Sequence, residues 1–220
     1  MNTLLKKATA EFFGVAVFLT AIISSTSTTF NHTPGFANVA LSGTLAVMIL
    51  LTAGISGGHL NPAVSLYFFA KKALNLSELA AYVLAQLLGA LAGVALGSHL
   101  SGQLFAPAAN AVGFTGIELG GEVFATAVLV WIVGHLAASD QGSKIPAAVG
   151  VWVLAASLYT PTGAQANPAV TFGLLFHGKS VSYAGGIILA ELAGALLGLV
   201  AITFISGAAK KTATKKKSAK

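Results

Sequence analysis

Two stretches of this chain carry the same tripeptide, each time followed by apolar residues at helical spacing. They are Asn61-Pro62-Ala63 and Asn167-Pro168-Ala169. Asn is a favoured N-cap, and Pro is tolerated at the first helical position because its missing N–H is not needed there. Each copy therefore predicts the start of a helix. A Lys follows only about ten residues later, whereas a transmembrane helix needs about 20 apolar residues, so we predict two half-helices that do not cross a bilayer.

The chain around these two copies is strongly hydrophobic. Of its 220 residues, 55% are hydrophobic and 8% are charged, and the mean hydropathy is +0.83. A soluble domain carries about a quarter charged residues. We predict an all-α, polytopic membrane protein whose first apolar run is a retained span rather than a cleaved signal peptide. Its six apolar runs lie at roughly 5–26, 37–55, 78–98, 119–138, 145–160 and 182–206.

The two halves of the chain repeat each other. Glu11 near the start of the first span corresponds to Glu122 near the start of the fourth, and Gln86 in the third span corresponds to Glu191 in the sixth. These pairs and the two Asn-Pro-Ala copies are each about 105 to 111 residues apart, the mark of an internal repeat. With three spans per half, the second half enters the membrane from the opposite side, so the repeat is inverted.

The repeat sets the predicted domain organisation. We expect one channel-sized domain over 1–207, with inverted repeats of about 1–105 and 106–207, each holding three spans and one half-helix. The remaining 208–220 is rich in Lys, and we predict a disordered cytoplasmic tail there.

The distribution of Lys predicts the orientation in the membrane. Cytoplasmic loops carry an excess of Lys and Arg. If both termini are cytoplasmic, Lys179 is the only Lys on the outer side. The tail falls on the inner side together with Lys6, Lys7, Lys71, Lys72 and Lys144. We therefore expect a multi-pass protein of the cell membrane, plasma or inner, with both termini in the cytoplasm.

In this topology the two half-helices dip in from opposite sides, and their N-termini meet near the bilayer centre. Each N-terminus carries partial positive charge and unsatisfied N–H groups, to which Asn61 and Asn167 add side-chain donors. Irregular backbone at this depth is tolerated only where it lines a water-filled cavity. The arrangement predicts a narrow aqueous path that repels cations and passes neutral hydrogen-bonding molecules. Its wall would be loop backbone from Gly57, Gly58, His59, Leu60, Gly163, Gln165 and Ala166.

The paired Asn-Pro-Ala motifs, the Ala10-Glu11-Phe12 opening and the six-span inverted repeat resemble the aquaporin, or major intrinsic protein, family. The likeness covers nearly the whole chain apart from the Lys-rich tail. It implies a homotetramer in the lipid bilayer with one pore per subunit, and a role for Glu11 and Glu122 in bracing the loops by accepting backbone N–H bonds. A proton relay is the alternative for these two carboxyl groups within the membrane.

The chain departs from the common family pattern at the outer constriction. Where most members carry an Arg after the second motif this chain has Val170, and it contains no Arg at all. The other positions that the resemblance assigns to the constriction fall at Leu41, where water-selective members have Phe, at Ala156, where they have His, and at Ala164. A filter of Leu, Ala, Ala and Val would be wide and apolar. We expect a passive channel for water, glycerol, urea and metalloid acids such as arsenous acid, since some bacterial aquaporin-like channels with Val here are associated with arsenic handling.

Two further residues have more than one interpretation. Glu191 stands where the repeat has Gln86, and a protonated Glu would resemble Gln as both donor and acceptor; a pH-sensing role is the alternative. His59 is interpreted as a loop-bracing residue, with gating by titration near neutral pH as its alternative.

Other classes of function find little support in the sequence. The histidines have no metal-ligand spacing, and no nucleophile–base pair or nucleotide fingerprint occurs, so we expect no enzyme, no cofactor, no metal site and no nucleic-acid partner. Two alternatives remain. One is an ion-coupled secondary transporter, because inverted repeats with broken helices also serve alternating access, and the other is a structural membrane protein with a closed pore.

Overall fold

The computed structural model of the protein describes residues 3–27, 35–110 and 113–217, with side chains described as far as Ile205. Within these residues the chain forms helices joined by turns and loops. They are α1 (Thr3–Ser25), α2 (Phe36–Ser56), α3 (Pro62–Ala70), α4 (Leu76–Ser101), α5 (Gly116–Ala138), α6 (Ile145–Tyr159), α7 (Pro168–Leu174) and α8 (Val181–Lys217), with a short 3₁₀ turn at Gly142–Lys144 before α6.

Six segments of the described residues are long and apolar enough to cross a membrane, the fifth being α6 with its 3₁₀ turn (Gly142–Tyr159), and α3 and α7 are the two half-helices. The predicted all-α fold of six spans and two half-helices in an inverted repeat is confirmed, and the protein is a multi-pass membrane protein. Large apolar side chains cover the outside of the bundle, as a lipid-facing surface requires; examples are Leu50, Val151 and Leu189, which are 63%, 67% and 69% exposed.

Two spans begin a few residues before their predicted starts at 78 and 119, because α4 begins at Leu76 and α5 at Gly116. Glu78 and Glu118 each lie in the first turn of a helix, where their side chains accept from the backbone N–H of Asn75 and Thr115. Asn75 and Thr115 in turn accept from the backbone N–H of those glutamates, which completes a capping box at each helix start. The capping boxes therefore set the starts of α4 and α5, and Glu118, which lies just outside the predicted span 119–138, belongs to α5.

The C-terminal stretch differs from the other predicted boundaries. Helix α8 continues to Lys217, past the expected end of the last span. The disorder predicted over 208–220 stays a prediction, since the side chains of 206–217 and all of 218–220 lie outside the described residues.

Glycines allow the close helix crossings within each half. A β-carbon on Gly89 of α4 would lie 2.4 Å from the Phe12 carbonyl of α1, and one on Gly194 of α8 would lie 2.5 Å from the Val123 carbonyl of α5. Such small-residue contacts bring helix backbones together in membranes. The pairs α1–α4 and α5–α8 are the equivalent crossings of the two halves.

The half-helices join the two halves. Helix α3 packs against α5 and α8 of the second half as well as α4 of its own, and α7 packs against α1 and α4 of the first half as well as α8. Helices α3 and α7 also touch each other, and α2 packs against α6. The N-termini of α3 and α7 therefore lie at the centre of the molecule, between the halves.

Candidate functional site

Both half-helices begin with the same cap. The Asn61 side chain accepts from Ala63 N at 2.8 Å, and the Asn167 side chain accepts from Ala169 N at 3.0 Å. Each Asn is extended, with a φ of −161° for Asn61 and −158° for Asn167, and Pro62 or Pro168 follows at the first helical position. The tripeptide fixes the helix start locally, because the Asn cap, the Pro and the Ala whose N–H donates to the cap all lie within three residues.

The two caps also bind each other's loops. Asn61 Nδ2 donates to the Ala166 carbonyl at 2.8 Å, and Asn167 Nδ2 donates to the Leu60 carbonyl at 2.9 Å. We call residues 57–60 the first loop and 163–166 the second loop. One N–H of each amide is used in this way, and an amide carries two. The sequence predicted donors here but not that each would hold the opposite loop.

The backbone of both loops is left-handed at the residues that accept these bonds. Leu60 has φ 49° and Ala166 has φ 45°, and Ala164 in the second loop has φ 51°. Residues with a β-carbon adopt this region at a cost of about 1–3 kcal/mol, and they do so where surrounding contacts enforce it. The enforcing contacts are hydrogen bonds from the loop N–H groups to two buried carboxyl groups.

Glu11 of α1 holds the first loop. Its Oε1 accepts from His59 N at 3.0 Å and its Oε2 from Leu60 N at 2.6 Å. Ser56 Oγ and Gln86 Nε2 also donate to this carboxyl group, at 2.6 and 2.7 Å. The carboxyl group is fully buried and has four donors, so it ties the first loop to α1, α2 and α4.

Glu122 of α5 has the equivalent place in the second half. Its Oε1 accepts from Gln165 N at 2.9 Å and its Oε2 from Ala166 N at 2.7 Å. The hydroxyl of Thr162 also donates to Oε1. The two glutamates that the family resemblance assigned to loop bracing thus each lie behind one loop and accept two successive backbone N–H groups.

A second pair of polar residues lies behind the half-helices. Gln86 Nε2 donates to Ser65 Oγ at 3.0 Å, while Glu191 Oε1 accepts from Asn167 N at 2.9 Å and lies 2.7 Å from Thr171 Oγ1. Ser65 and Thr171 are equivalent positions of the repeat, four residues after their Asn, and both are fully buried. Neither was predicted to be functional; the signal that could have found them is the hydroxyl that both motifs carry at this position.

His59 is fixed within the first half. Its Nδ1 lies 3.1 Å from Ser65 Oγ, and its ring stacks on Phe68 with centroids 4.5 Å apart. Only 8% of the residue is exposed. These contacts are those of a bracing residue with one edge toward a cavity, and no acidic side chain bonds to the ring among the described residues.

A narrow cavity of about 40 Å³ reaches from the two Asn side chains toward the face of the bundle where α1 begins. A buried water needs roughly 10–15 Å³ of such space, so the cavity has room for a short row of waters. Asn61, Asn167 and the loop residues lie at its inner end, and apolar side chains form most of its wall. The wall residues include Phe18, Leu45, Ile49, Leu129, Val149 and Val153.

The four positions predicted for the outer constriction lie beyond this cavity. Ala156, Ala164 and Val170 are buried, and Leu41 packs against the same apolar cluster. Leu41 and Ala156 lie one helical turn from the wall residues Leu45 and Val153, on the side away from the cavity. The described cavity is lined by none of the four, so their grouping as a filter stays a prediction, and we call these four residues the apolar layer.

Comparison with known proteins supports one family. Residues 1–162 match the family model described as "Major intrinsic protein". An aquaglyceroporin of Rhizobium meliloti, AqpS, is 30% identical over 214 residues, which is 92% of this chain and 91% of that protein. A probable aquaporin of Arabidopsis thaliana, PIP2-8, is 31% identical over 189 residues, 74% of this chain and 67% of the relative.

A solved structure has the same fold. The aquaglyceroporin from Plasmodium falciparum superposes with a TM-score of 0.78, covering 92% of this chain and 96% of its own, at 19% sequence identity. The inverted repeat, the two facing caps and these similarities agree, and the chain belongs to the major intrinsic protein family.

Proposed function

We propose that the protein is a passive channel for water and small uncharged solutes. The observation that carries this proposal is the meeting of two half-helix N-termini on one narrow cavity, with Asn61 and Asn167 at its end. A channel of this kind needs a continuous path with hydrogen-bond partners at its waist, and the two amides and the loop backbone are such partners. Relatives named aquaporin and aquaglyceroporin support the proposal.

The charges around the cavity favour neutral solutes. Two helix N-termini point at the same place, and each is equivalent to about half a positive charge. No carboxylate lines the cavity among the described residues, because the oxygens of Glu11 and Glu122 are occupied on the far side of the loops. A cation would lose its water and find no compensating anion, whereas a neutral hydroxyl or amide meets donors and carbonyls. The ends of the half-helices therefore serve as the barrier to cations and protons.

The apolar layer sets the size of the solute. Leu41, Ala156, Ala164 and Val170 have no charge and no strong donor, so a filter made of them would be wide and would not select strictly for water. Glycerol, urea and undissociated metalloid acids such as arsenous acid are the solutes we assign to it. That AqpS is named an aquaglyceroporin supports the assignment of the larger solutes.

We further propose a homotetramer in the cell membrane with both termini cytoplasmic. The orientation is the one that leaves Lys179 as the only outer Lys. The alternative of an ion-coupled transporter is not favoured, because the relatives are named aquaporin and aquaglyceroporin.

Stopped-flow light scattering on proteoliposomes tests the filter. Water, glycerol, urea and arsenous acid are compared for wild type, Val170→Arg and the matched control Val170→Ala. We expect wild type and Val170→Ala to pass the larger solutes, and Val170→Arg to pass water while rejecting them, because an Arg side chain narrows the layer and adds charge. If wild type passes water alone, the wide-filter assignment is wrong. If folded wild-type protein gives no solute or water flux above that of empty liposomes, the proposed channel function is wrong.

A further inference from the structure

The carboxyl group of Glu191 is not explained by the loop-bracing role that Glu122 already fills. The residue is fully buried in α8. Its Oε1 has two contacts, with Asn167 N and Thr171 Oγ1, whereas its Oε2 has no hydrogen-bond partner. Burying an ionised carboxylate oxygen without a hydrogen-bond donor has a high free-energy cost. The ionised form of Glu191 is therefore disfavoured at this site.

The two halves carry matching chains of polar side chains behind their half-helices. In the first half, Gln86 Nε2 donates to Glu11 Oε2 and to Ser65 Oγ, and Ser65 Oγ touches His59 Nδ1. In the second half, Glu191 Oε1 touches Thr171 Oγ1, which lies 2.7 Å from Gln165 Oε1. Glu191 Oε1 therefore lies at the position equivalent to Gln86 Nε2, and an amide nitrogen only donates hydrogen bonds.

The series of hydrogen-bonded side chains in the second half requires Glu191 to be a donor. Thr171 has one hydroxyl proton, yet both of its side-chain neighbours present an oxygen. Gln165 Nε2 donates to Tyr183 Oη at 3.1 Å, which leaves Gln165 Oε1 to accept from Thr171. The short contact between Thr171 and Glu191 then needs a proton on Glu191. If the oxygen and nitrogen of the Gln165 amide were exchanged, Glu191 would not need a proton. The charges of the neighbouring groups distinguish these two cases.

The charges around Glu191 point the same way. Glu122 and Glu191 accept from the successive backbone groups Ala166 N and Asn167 N, so the two carboxyl groups are neighbours. The ionisable group facing Glu191 from α5 is Glu122, and on α8 itself it is Tyr183. Helix α7 and the second loop carry no charged side chain. Two adjacent carboxyl groups without a cation do not both ionise inside a membrane protein.

The hydrogen bonds decide which of the two keeps the proton. Glu122 accepts from three donors spread over both of its oxygens. Glu191 accepts one backbone N–H on Oε1, and its Oε2 is unpartnered. Hydrogen bonds to the charged form stabilise it, so Glu122 is the anion and Glu191 the acid.

We propose that Glu191 is a neutral carboxylic acid protonated on Oε1, which positions Asn167 by accepting its N–H and donates its proton to Thr171 as the Gln86 amide does to Ser65, while Oε2 is an uncharged carbonyl oxygen. It acts on the pore only through Asn167 and Thr171, and its relevance to flux rests on the proposed channel function. The hydrogen bonds run in one direction along the chain, from Glu191 to Thr171 and from Thr171 to the Gln165 carbonyl, while the Gln165 N–H goes to Tyr183.

Infrared spectroscopy of the full-length protein in liposomes at neutral pH tests the protonation state without any flux measurement. We expect the spectrum of Glu191→Gln to lose intensity in the carboxylic-acid C=O band relative to wild type. Glu118→Gln, which replaces a partly exposed glutamate of α5, is the control and should lose carboxylate intensity only. If Glu191→Gln loses carboxylate intensity and leaves the acid band intact, Glu191 is ionised and the proposal is wrong.

Water permeability of the same liposomes tests the positioning role. Glu191→Gln keeps a donor to Thr171 but places an NH₂ group opposite the Asn167 N–H, so it should lose part of the wild-type permeability, whereas Glu191→Leu removes every hydrogen bond and should lose most of it. Equal losses in the two variants would overturn the positioning role. An inactive wild type that still shows the Glu191 acid band would refute the channel function and leave the protonation state standing.

Discussion

Asn61 donates a side-chain N–H to the carbonyl of Ala166, a residue of the opposite loop, at 2.8 Å. The relationship is reciprocal, because Asn167 donates in the same way to Leu60 at 2.9 Å. Both acceptors have left-handed backbone, which turns their carbonyls toward the other half. Each Asn thus caps its own helix with its oxygen and fastens the other half with its nitrogen, so the two halves are joined at the centre by a pair of equivalent bonds.

Replacing Asn61 by Ser should separate its two roles, which are to cap α3 and to hold the opposite loop. Serine still caps a helix about as well as Asn, but it does not carry the amide N–H that reaches Ala166. The buried Ala166 carbonyl then lacks its donor, which costs about 1–3 kcal/mol. We expect a lower thermal unfolding midpoint in detergent for Asn61→Ser. Asn75→Ser is the control, since Asn75 also caps a helix but is exposed and holds no opposite loop. Equal effects of the two substitutions would show that the cross-loop bond contributes nothing.

Glu11 should be far less replaceable than the partly exposed Glu78. In Glu11→Gln one acceptor oxygen becomes an NH₂ group, which would face N–H donors from the first loop or from Gln86. Hydrogen bonds to charged groups contribute about 1.5–3 kcal/mol each, so we expect loss of most folded protein on size-exclusion chromatography. Glu78→Gln is the control, because its ion pair with Lys7 at 2.8 Å is partly exposed and such pairs contribute about 0–1 kcal/mol. A folded, stable Glu11→Gln would contradict a bracing role.

Much of the architecture could be predicted from the sequence because its signals are local. Apolar runs locate the spans to within a few residues, and Asn followed by Pro locates the half-helix starts. The contacts between the halves could not be predicted in this way. Asn61 and its acceptor Ala166 are 105 residues apart, and nothing in the identity of Leu60 or Ala166 favours a positive φ. Their conformation is imposed by Glu11, Glu122 and the opposite Asn, which is a property of the assembled fold.

The glycines at the helix crossings give a prediction with an internal control. A methyl group on Gly89 would lie 2.4 Å from the Phe12 carbonyl, a backbone atom that cannot move without shifting α1. Overpacking of this kind costs about 1–3 kcal/mol, so Gly89→Ala should lower the unfolding midpoint. A methyl group on Gly43, within α2, would have no neighbouring atom within 4 Å, and Gly43→Ala should keep or raise the midpoint because Ala is the better helix former. Similar midpoints for both variants would refute the tight α1–α4 crossing.

His177 should make the loop between α4 and α5 sensitive to acid. This loop is fastened to the α7–α8 connection by the Gly178 N–H, which donates to the Ala106 carbonyl at 3.0 Å, and by stacking of Phe105 on Phe176. His177 lies half-buried beside these contacts and hydrogen-bonds the Leu104 backbone, and burial lowers the pKa of its ring below the usual 6.5. The unfolded state therefore binds the proton more readily, and stability is lost as the pH falls through 6.5 toward the lower pKa of the folded state.

The expected result is a lower thermal unfolding midpoint at about pH 5 than at about pH 7, a window above the ordinary pKa values of Asp and Glu. His177→Gln should show a smaller difference between the two pH values, because Gln can bond the same carbonyl without taking up a proton. His99→Gln, at an exposed position near the end of α4, should keep the full difference. If His177→Gln also keeps it, the acid sensitivity arises elsewhere in the protein and the buried imidazole of His177 does not cause it.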